Sequence, residues 1–408
     1  MNDIRMKGFH QRISVEGFYT IIDKNTAPNP SELVHVTECY DRVLCEPITS
    51  PRNVPDFNRS AMDGYAVKGE ETFGAASYNP ISFKIRGRLT PGQEFKEEIQ
   101  KGETLQIMTG APLPKGADSV LMAEYTEQVG QCMHAMEAVS PGKNVGLVGE
   151  DIQKGEKLFQ KGRRLRPQDA AVLASVGISE VSVFKKPTVD ILVTGDELLK
   201  PGQFPDGVKI VDSNSIVLRH CIQRDGGIVK MIRHLPDDLD LIRTALQESS
   251  ADLVCISGGS AVGVEDFAPS LVAELGELLV HGVSIRPASP TGFGMIDHRP
   301  VFLLPGNPVS CLSAYDFFVA RAIRIKGARN LQWPYRSIAI KLGSNISSQS
   351  GRVDYVRVRI EGSQAFLIAT SGAAILSSTT KADGFLVVPE ASEGFAEGET
   401  VNVCLYDS

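Results

Sequence analysis

DLVCISGGSAVGVED, residues 252–266, is the stretch on which the fold turns. Leu253–Ser257 is an apolar run of strand length. It breaks at Ser257 into Gly, Ser and Ala as far as Gly263, and an acid, Asp266, opens the helical stretch that follows. A strand that hands over to a helix through small residues is half of a β-α unit, so its neighbours should repeat the pattern. Val189–Thr194 runs into Gly195-Asp196-Glu197, and Val301–Leu304 runs into Pro305-Gly306-Asn307-Pro308. Ile228–Ile232 is a further strand candidate. Between these runs lie helical stretches over Ser213–Asp225, stopped by Gly226-Gly227, and over Leu239–Gln247. One more begins near Asp266 and another is opened by Pro308. This alternation implies a parallel sheet, with 186–330 as one α/β domain.

Outward from that domain the character changes. SVEGFYTIIDK (14–24) reads as a short helix, punctuated by Pro28 and Pro30. From 52 to 150, short β-rich runs such as Ile81–Leu89 and Ala117–Tyr125 are separated by Gly and Pro turns. In GRRLRPQDAAVLASVGISEV (162–181), Pro167 starts a helix and Gly177 stops it. Because the two helices flank the β-rich insert, 1–51 plus 151–185 are expected to form one discontinuous domain around 52–150. After Trp333 the runs SIAIKL, DYVRVRI, FLVVP and TVNVCLYD lack helical periodicity, and 331–408 is expected to be a β-barrel.

Composition narrows the function classes. With 42% hydrophobic and 22% charged residues the 408-residue chain is globular rather than disordered. A net charge of −7 argues against a nucleic-acid binder, which needs a basic surface to release counterions. The seven cysteines are scattered without CxxC spacing, as expected of reduced thiols in a cytoplasmic protein. No run of about 18 apolar residues predicts a membrane span, and the charged N-terminus lacks a signal core.

In an open parallel sheet, ligands bind beyond the carboxyl ends of the strands, where the unusual sequences of this chain fall. The loop Ser257-Gly258-Gly259-Ser260 through Gly263 offers backbone N–H groups and hydroxyls to an oxyanion. On glycine chemistry alone a tight structural turn is an equal reading. Glu197, Asp237 and Asp266 sit in different loops that the topology can gather around a divalent cation. Asp212 and Asp237 read equally as helix caps, and Asp266 as a first-turn acid. The seven histidines show no metal or triad spacing.

Several longer motifs then point one way. NRSAMDGYAV (58–67), IMTGAPLPKGAD (107–118), GEDI (149–152), TGDEL (194–198), DSN (212–214), SGG (257–259) with Asp266, and LPGNPVS (304–310) occur in the order found in the molybdopterin molybdenumtransferase family, which includes the E domain of gephyrin. From Ile13 to its end the chain resembles that family. The resemblance implies a multidomain α/β architecture: a molybdopterin-binding parallel sheet domain, a β-rich insert, a discontinuous linker domain and a C-terminal β-barrel. It implies a homodimer that binds molybdate and adenylated molybdopterin, uses Mg2+, and delivers the metal to the dithiolene with release of AMP. A molybdopterin adenylyltransferase and apo-molybdoenzymes are the implied partners.

By the same resemblance Asp63, Thr109, Asp151, Glu197, Asp237 and Asp266 are catalytic candidates, with Glu197 and Asp266 on the metal. Asp63 and Thr109 are expected to serve the partner subunit's site. Thr194, Gly195, Asp196, Asp212, Ser213, Asn214, Ser257, Gly258, Gly259, Ser260, Gly263, Arg286, Pro305, Gly306, Asn307 and Pro308 are the candidate substrate-binding residues. Two departures stand out. The usual GGVSVG reads Gly258-Gly259-Ser260-Ala261-Val262-Gly263, and the usual PGKPxxFG reads Pro287-Ala288-Ser289-Pro290-Thr291-Gly292-Phe293-Gly294, with Ser289 for lysine. Arg286 is then the remaining cation beside that loop. A binding paralogue without turnover and an interaction scaffold are the competing classes, since fold alone does not fix function.

Overall fold

A computed structural model describes residues 12–258, 267–369 and 372–406. The chain divides into two compact units, one built from segments 1–32, 41–43 and 182–408, the other from 33–40 and 44–181. The four-way division expected from the sequence does not nest in this one: of the expected discontinuous domain 1–51 plus 151–185, the helix Val15–Asn25 falls in the first unit and the helix Pro167–Ser175 in the second.

The first unit is organised by a six-stranded sheet of β1 (Thr188–Thr194), β2 (Ile228–Leu235), β3 (Leu253–Ser257), β4 (Glu277–His281), β5 (Gly292–Ile296) and β6 (Arg299–Leu304). Their spatial order is β2-β1-β3-β6-β5-β4. The first four run parallel. Helices α1 (Val15–Asn25), α2 (Asn214–Arg224), α3 (Leu239–Glu248), α4 (Ala268–Leu275), α5 (Pro308–Ala314) and α6 (Ala320–Lys326) belong to the same unit. Side chains alternate across a strand, so β1 feeds two cores. Val189, Ile191 and Val193 pack with Phe18, Leu218, Phe302 and Phe318. Leu192 packs on the other face with Ile242, Leu246, Leu271 and Val272. Burial on both faces is why these strands read as unbroken apolar runs.

The four strands and the helices expected here are present, but the sheet is not wholly parallel. β5 pairs antiparallel with β6, and β4 antiparallel with β5. The β5–β6 hairpin turns at Asp297 (φ 49°) and His298 (φ 62°), both left-handed, between the paired residues Ile296 and Arg299. That is the type I′ geometry whose twist suits a two-residue hairpin. Asp-His lacks the usual Asn-Gly signature, so the hairpin was not expected.

The C-terminal strands form the expected barrel: Ser337–Leu342, Val353–Glu361, Gln364–Ala369, Gly384–Val388 and Thr400–Leu405, closed by pairing of Val353–Glu361 with Gly384–Val388. Ile285–Arg286 adds to the same sheet by pairing with Val353 and Asp354. A buried polar knot joins barrel and helices. Asp225 accepts from Arg324 and from the Tyr315 hydroxyl (2.9 Å), Arg224 bridges Asp225 and Asp316, each at 2.8 Å, and the Tyr335 hydroxyl, just before the first barrel strand, donates to Asp316 (2.9 Å). Beside it Phe317 meets Trp333 edge-on at 5.0 Å, and Tyr355 stacks on Phe385 at 4.4 Å.

The second unit holds another six-stranded sheet, ordered Ser119–Met122, Gly64–Val67, Glu103–Ile107, Ala76–Leu89, Cys132–Glu137 and Thr126–Val129. Its helix Pro167–Ser175 starts with proline in its first turn, as the sequence predicts. Asp169 closes the capping box there, and the Arg163 and Arg166 guanidiniums hold its carboxyl well below the usual range despite burial, which pushes the other way. Among the described residues no helix is long and apolar enough to cross a membrane.

Candidate functional site

Three strand-end loops of the first unit are fastened by one side chain. Asn214, the first residue of α2, is buried, and its Nδ2 donates to Ser257 Oγ (2.8 Å) at the end of β3 and to the Gly306 carbonyl (2.7 Å) beyond β6. A carbonyl can only accept, so the amide orientation is fixed and Oδ1 faces away without a partner. Thr194 Oγ1, at the end of β1, is likewise buried without a partner. Gly258 must be glycine. Its φ is +96°, and a Cβ there would stand 2.3 Å from the Thr194 carbonyl oxygen. Two unmet polar groups thus lie close to the carboxyl end of the sheet, and each calls for an explanation.

The acids divide by role. Asp212 caps: its carboxylate accepts from the Ser215 N–H (3.1 Å) and hydroxyl, and His234 Nε2 lies 2.8 Å from it. His234 was missed in the sequence, being a lone histidine near the end of β2. Ser213 holds the N-cap position of α2 without a side-chain cap bond. The cap of α3 is Asp238, which accepts from the Asp240 and Leu241 N–H groups at 2.9 Å each, so the capping reading of Asp237 is displaced by one residue. Asp237 instead faces the β1 loop. Its N–H donates to the Asp196 carboxylate (3.2 Å), and the Asp196 N–H donates back to the Asp237 carboxylate (3.3 Å). Lys209 Nζ donates to the Asp196 carbonyl at 2.5 Å. Glu197 is exposed, with its carboxylate folded over Gly195, where a Cβ would meet Oε2 at 2.7 Å. Pro305 is buried, Asn307 is exposed at the N-cap of α5, and Pro308 opens that helix.

Arg286 is tied to the barrel. Its guanidinium is ion-paired with buried Asp354, whose other oxygen takes Arg352 at 3.1 Å, so it is engaged by the barrel. Ser289 donates to the Val283 carbonyl (3.1 Å), and the neighbouring Ala288 has φ +100°. Gly259, Ser260, Gly263 and Asp266 lie outside the described residues.

Asp63, Thr109 and Asp151 belong to the second unit. Asp63 and Thr109 are exposed, and one oxygen of Asp63 accepts both the Thr109 N–H and its hydroxyl, each at 2.7 Å. Those two donors, the backbone one first, hold the Asp63 carboxyl below its ordinary range. Next to them a crevice of about 400 Å3 is lined by Arg59, Thr109, Asn144 and Glu150, with Arg59 and Glu150 paired at 2.9 Å. Asp151 is exposed, and its N–H donates to the Val54 carbonyl at 3.1 Å. The catalytic candidates therefore fall into two groups, one on each unit.

The fold is that of a multidomain α/β protein, and the polar residues around Asn214 lie at the carboxyl ends of its largely parallel sheet. Residues 13–177 match the MoeA N-terminal region (domains I and II), 190–325 the "Probable molybdopterin binding domain", and 339–406 the MoeA C-terminal region (domain IV). A protein of Methanocaldococcus jannaschii named for molybdopterin biosynthesis is 35% identical over 97% of this chain and 96% of its own. The molybdopterin molybdenumtransferase of Haemophilus influenzae is 31% identical, covering 92% of this chain and 94% of its own. The crystal structure of a Pyrococcus horikoshii molybdopterin biosynthesis MoeA protein matches with a TM-score of 0.84 and 34% identity, over 98% of this chain and 100% of that one. The chain belongs to the MoeA, or molybdopterin molybdenumtransferase, family. It is a transferase of molybdenum cofactor biosynthesis.

Proposed function

We propose that the chain inserts molybdate-derived metal into adenylated molybdopterin and releases AMP. The observation that carries this reading is the clasp around Asn214, with the unmet polar groups of Asn214 and Thr194 at the carboxyl end of the sheet. In the reaction, water cleaves the phosphoanhydride of the adenylate, AMP leaves and molybdopterin keeps its own phosphate; the two dithiolene sulfurs bond to the metal of molybdate as one of its oxides leaves, with the two thiol protons, as water. Asn214 Oδ1 accepts from the pterin part of the substrate, and the Ser257–Gly263 loop donates to phosphate or molybdate oxygens. Among the described residues no three acid, histidine or cysteine side chains form a metal cluster. The donors at hand, Glu197 and Asp237, are oxygen ligands that suit a hard cation such as Mg2+, with Asp266 as the third. Bound there, Mg2+ would neutralise phosphate charge. Glu197 and Asp237 would hold it, and Asp63, kept ionised by Thr109, would orient the water.

The active form in this reading is a cytoplasmic homodimer in which Asp63, Thr109 and Asp151 serve the partner subunit. A molybdopterin adenylyltransferase supplies the substrate and an apo-molybdoenzyme takes the product. The deciding experiment incubates purified protein with adenylated molybdopterin, molybdate and magnesium, and measures AMP and bound molybdenum. Turnover of both is expected, and ligand binding without either product overturns the reading. One observation favours a paralogue that binds but does not turn over: Arg286 is paired with Asp354, and residues 287–294 contain no basic residue. The same assay separates the two. Mixing inactive Asp63→Asn and Glu197→Gln proteins tests the dimer, since shared sites predict regained activity once subunits exchange.

A further inference from the structure

The amino-terminal end of the same sheet carries a separate concavity with a backbone frame. The Lys185 N–H donates to the Pro30 carbonyl (3.0 Å), the Asn29 N–H to the Lys326 carbonyl (2.8 Å), and the Ile228 N–H to the Pro187 carbonyl (2.8 Å). The segment around Asn29–Glu32 is thereby fixed across the entry to β1 and β2. The crevice it leaves has a volume of about 420 Å3 and is lined by Glu32, Arg42, Lys185, Lys186, Thr188 and Asp252. A space of this size takes a small metabolite.

Its charges do not cancel. Asp252 is bonded already, one oxygen accepting the Thr188 N–H and hydroxyl at 2.7 Å each. Glu32 is ion-paired with Arg42, which also donates to the Phe184 carbonyl at 2.9 Å. Neither the Lys185 nor the Lys186 ammonium has a hydrogen bond or ion pair among the described residues. Arg42, 9% exposed, lines the same crevice and keeps a buried Nε without an acceptor. Leaving a charged donor unmet is unfavourable, and an anion entering the crevice would supply acceptors. With Arg42, Lys185 and Lys186 against Glu32 and Asp252, the lining keeps a net positive charge.

We propose that this crevice binds a phosphate group, carried on a small metabolite or as the free ion. The site is distinct from the one at the carboxyl ends, because the length of β1, about 20 Å at roughly 3.3 Å per residue, separates them. The Lys185 and Lys186 ammoniums hold the phosphate oxygens, and the Arg42 guanidinium adds its charge to the same lining.

Calorimetric titration of the full chain with inorganic phosphate, and separately with phenyl phosphate, tests this without reference to turnover. Saturable binding is expected for the unaltered chain. It should weaken by at least about tenfold in Lys185→Gln/Lys186→Gln. It should survive in Lys185→Arg/Lys186→Arg and in Thr194→Val, which alters only the carboxyl-end site. Tighter binding of phenyl phosphate would identify a carried phosphate, and tighter binding of inorganic phosphate the free ion. No binding at millimolar phosphate, equal binding by the double glutamine variant in its folded state, or loss in Thr194→Val alone overturns the proposal.

Discussion

Asn214 of the first unit is sunk among three loops and holds them with two hydrogen bonds, whereas Asp63 of the second unit stands in solvent with Thr109 as its partner. Both are motif residues carried by the same family resemblance. Their surroundings assign them opposite kinds of work. A buried amide with a fixed orientation shapes the site and is tied to stability, while an exposed carboxylate held ionised is available for chemistry and contributes little to the fold. Sequence motifs do not make that distinction, because it depends on what surrounds the side chain.

The largest effect should come from Asn214→Asp. It removes both N–H donors and faces a carboxylate against the Gly306 carbonyl in a buried place, so stability should fall by about 3 kcal/mol or more in equilibrium urea unfolding. An unfolding curve like that of the unaltered chain would break the contrast. Asp63→Asn should do the reverse, leaving the unfolding midpoint in place while insertion activity drops by about a hundredfold. A loss of stability matching the Asn214 variant would show that Asp63 too is structural.

A finer test uses Thr109→Val, which keeps the backbone donor to Asp63 and removes the hydroxyl. The folded-state pKa of Asp63 is depressed. Its stabilising contribution is therefore present above the unfolded carboxylate pKa and lost as pH falls through the folded one. With one donor gone that pKa rises, and the acid limb of the pH–rate profile should move to higher pH. Superimposable limbs would mean that Asp63 does not need its charge. The smallest effect is expected for Ala288→Gly. Relief of the left-handed strain at φ +100° offsets the lost methyl, for a net gain of under about 1 kcal/mol in thermal unfolding. A marked loss would show that the Ala288 methyl is needed where it packs.

Much of the first unit was legible in the sequence because its parallel strands are covered on both faces and hence appear as continuous apolar runs ending in glycine-rich turns. The antiparallel edge was not, since β5 carries Gly292 and Gly294 in place of large residues and turns through Asp297-His298. Of the site, the loops were visible and the clasp was not. Asn214 lies 43 residues from Ser257 and 92 from Gly306 in sequence, and only the closed sheet brings them together. The pairing of Arg286 with Asp354, 68 residues away, was hidden for the same reason.

The knot of Asp225, Arg324, Arg224, Asp316 and Tyr335 bears on how this polypeptide can be cut. Tyr355 and Phe385 of the barrel share a core with Phe317 and Phe318 of the helical layer, and Ile285–Arg286 is hydrogen-bonded into the barrel sheet. A fragment ending near residue 330 would strip cover from those rings and leave Asp316 without the Tyr335 hydroxyl. The barrel is thus a wall of the sheet domain rather than an appendage. Protease nicking of the native chain after Trp333 should leave the pieces associated, and the two should melt together as a single cooperative block.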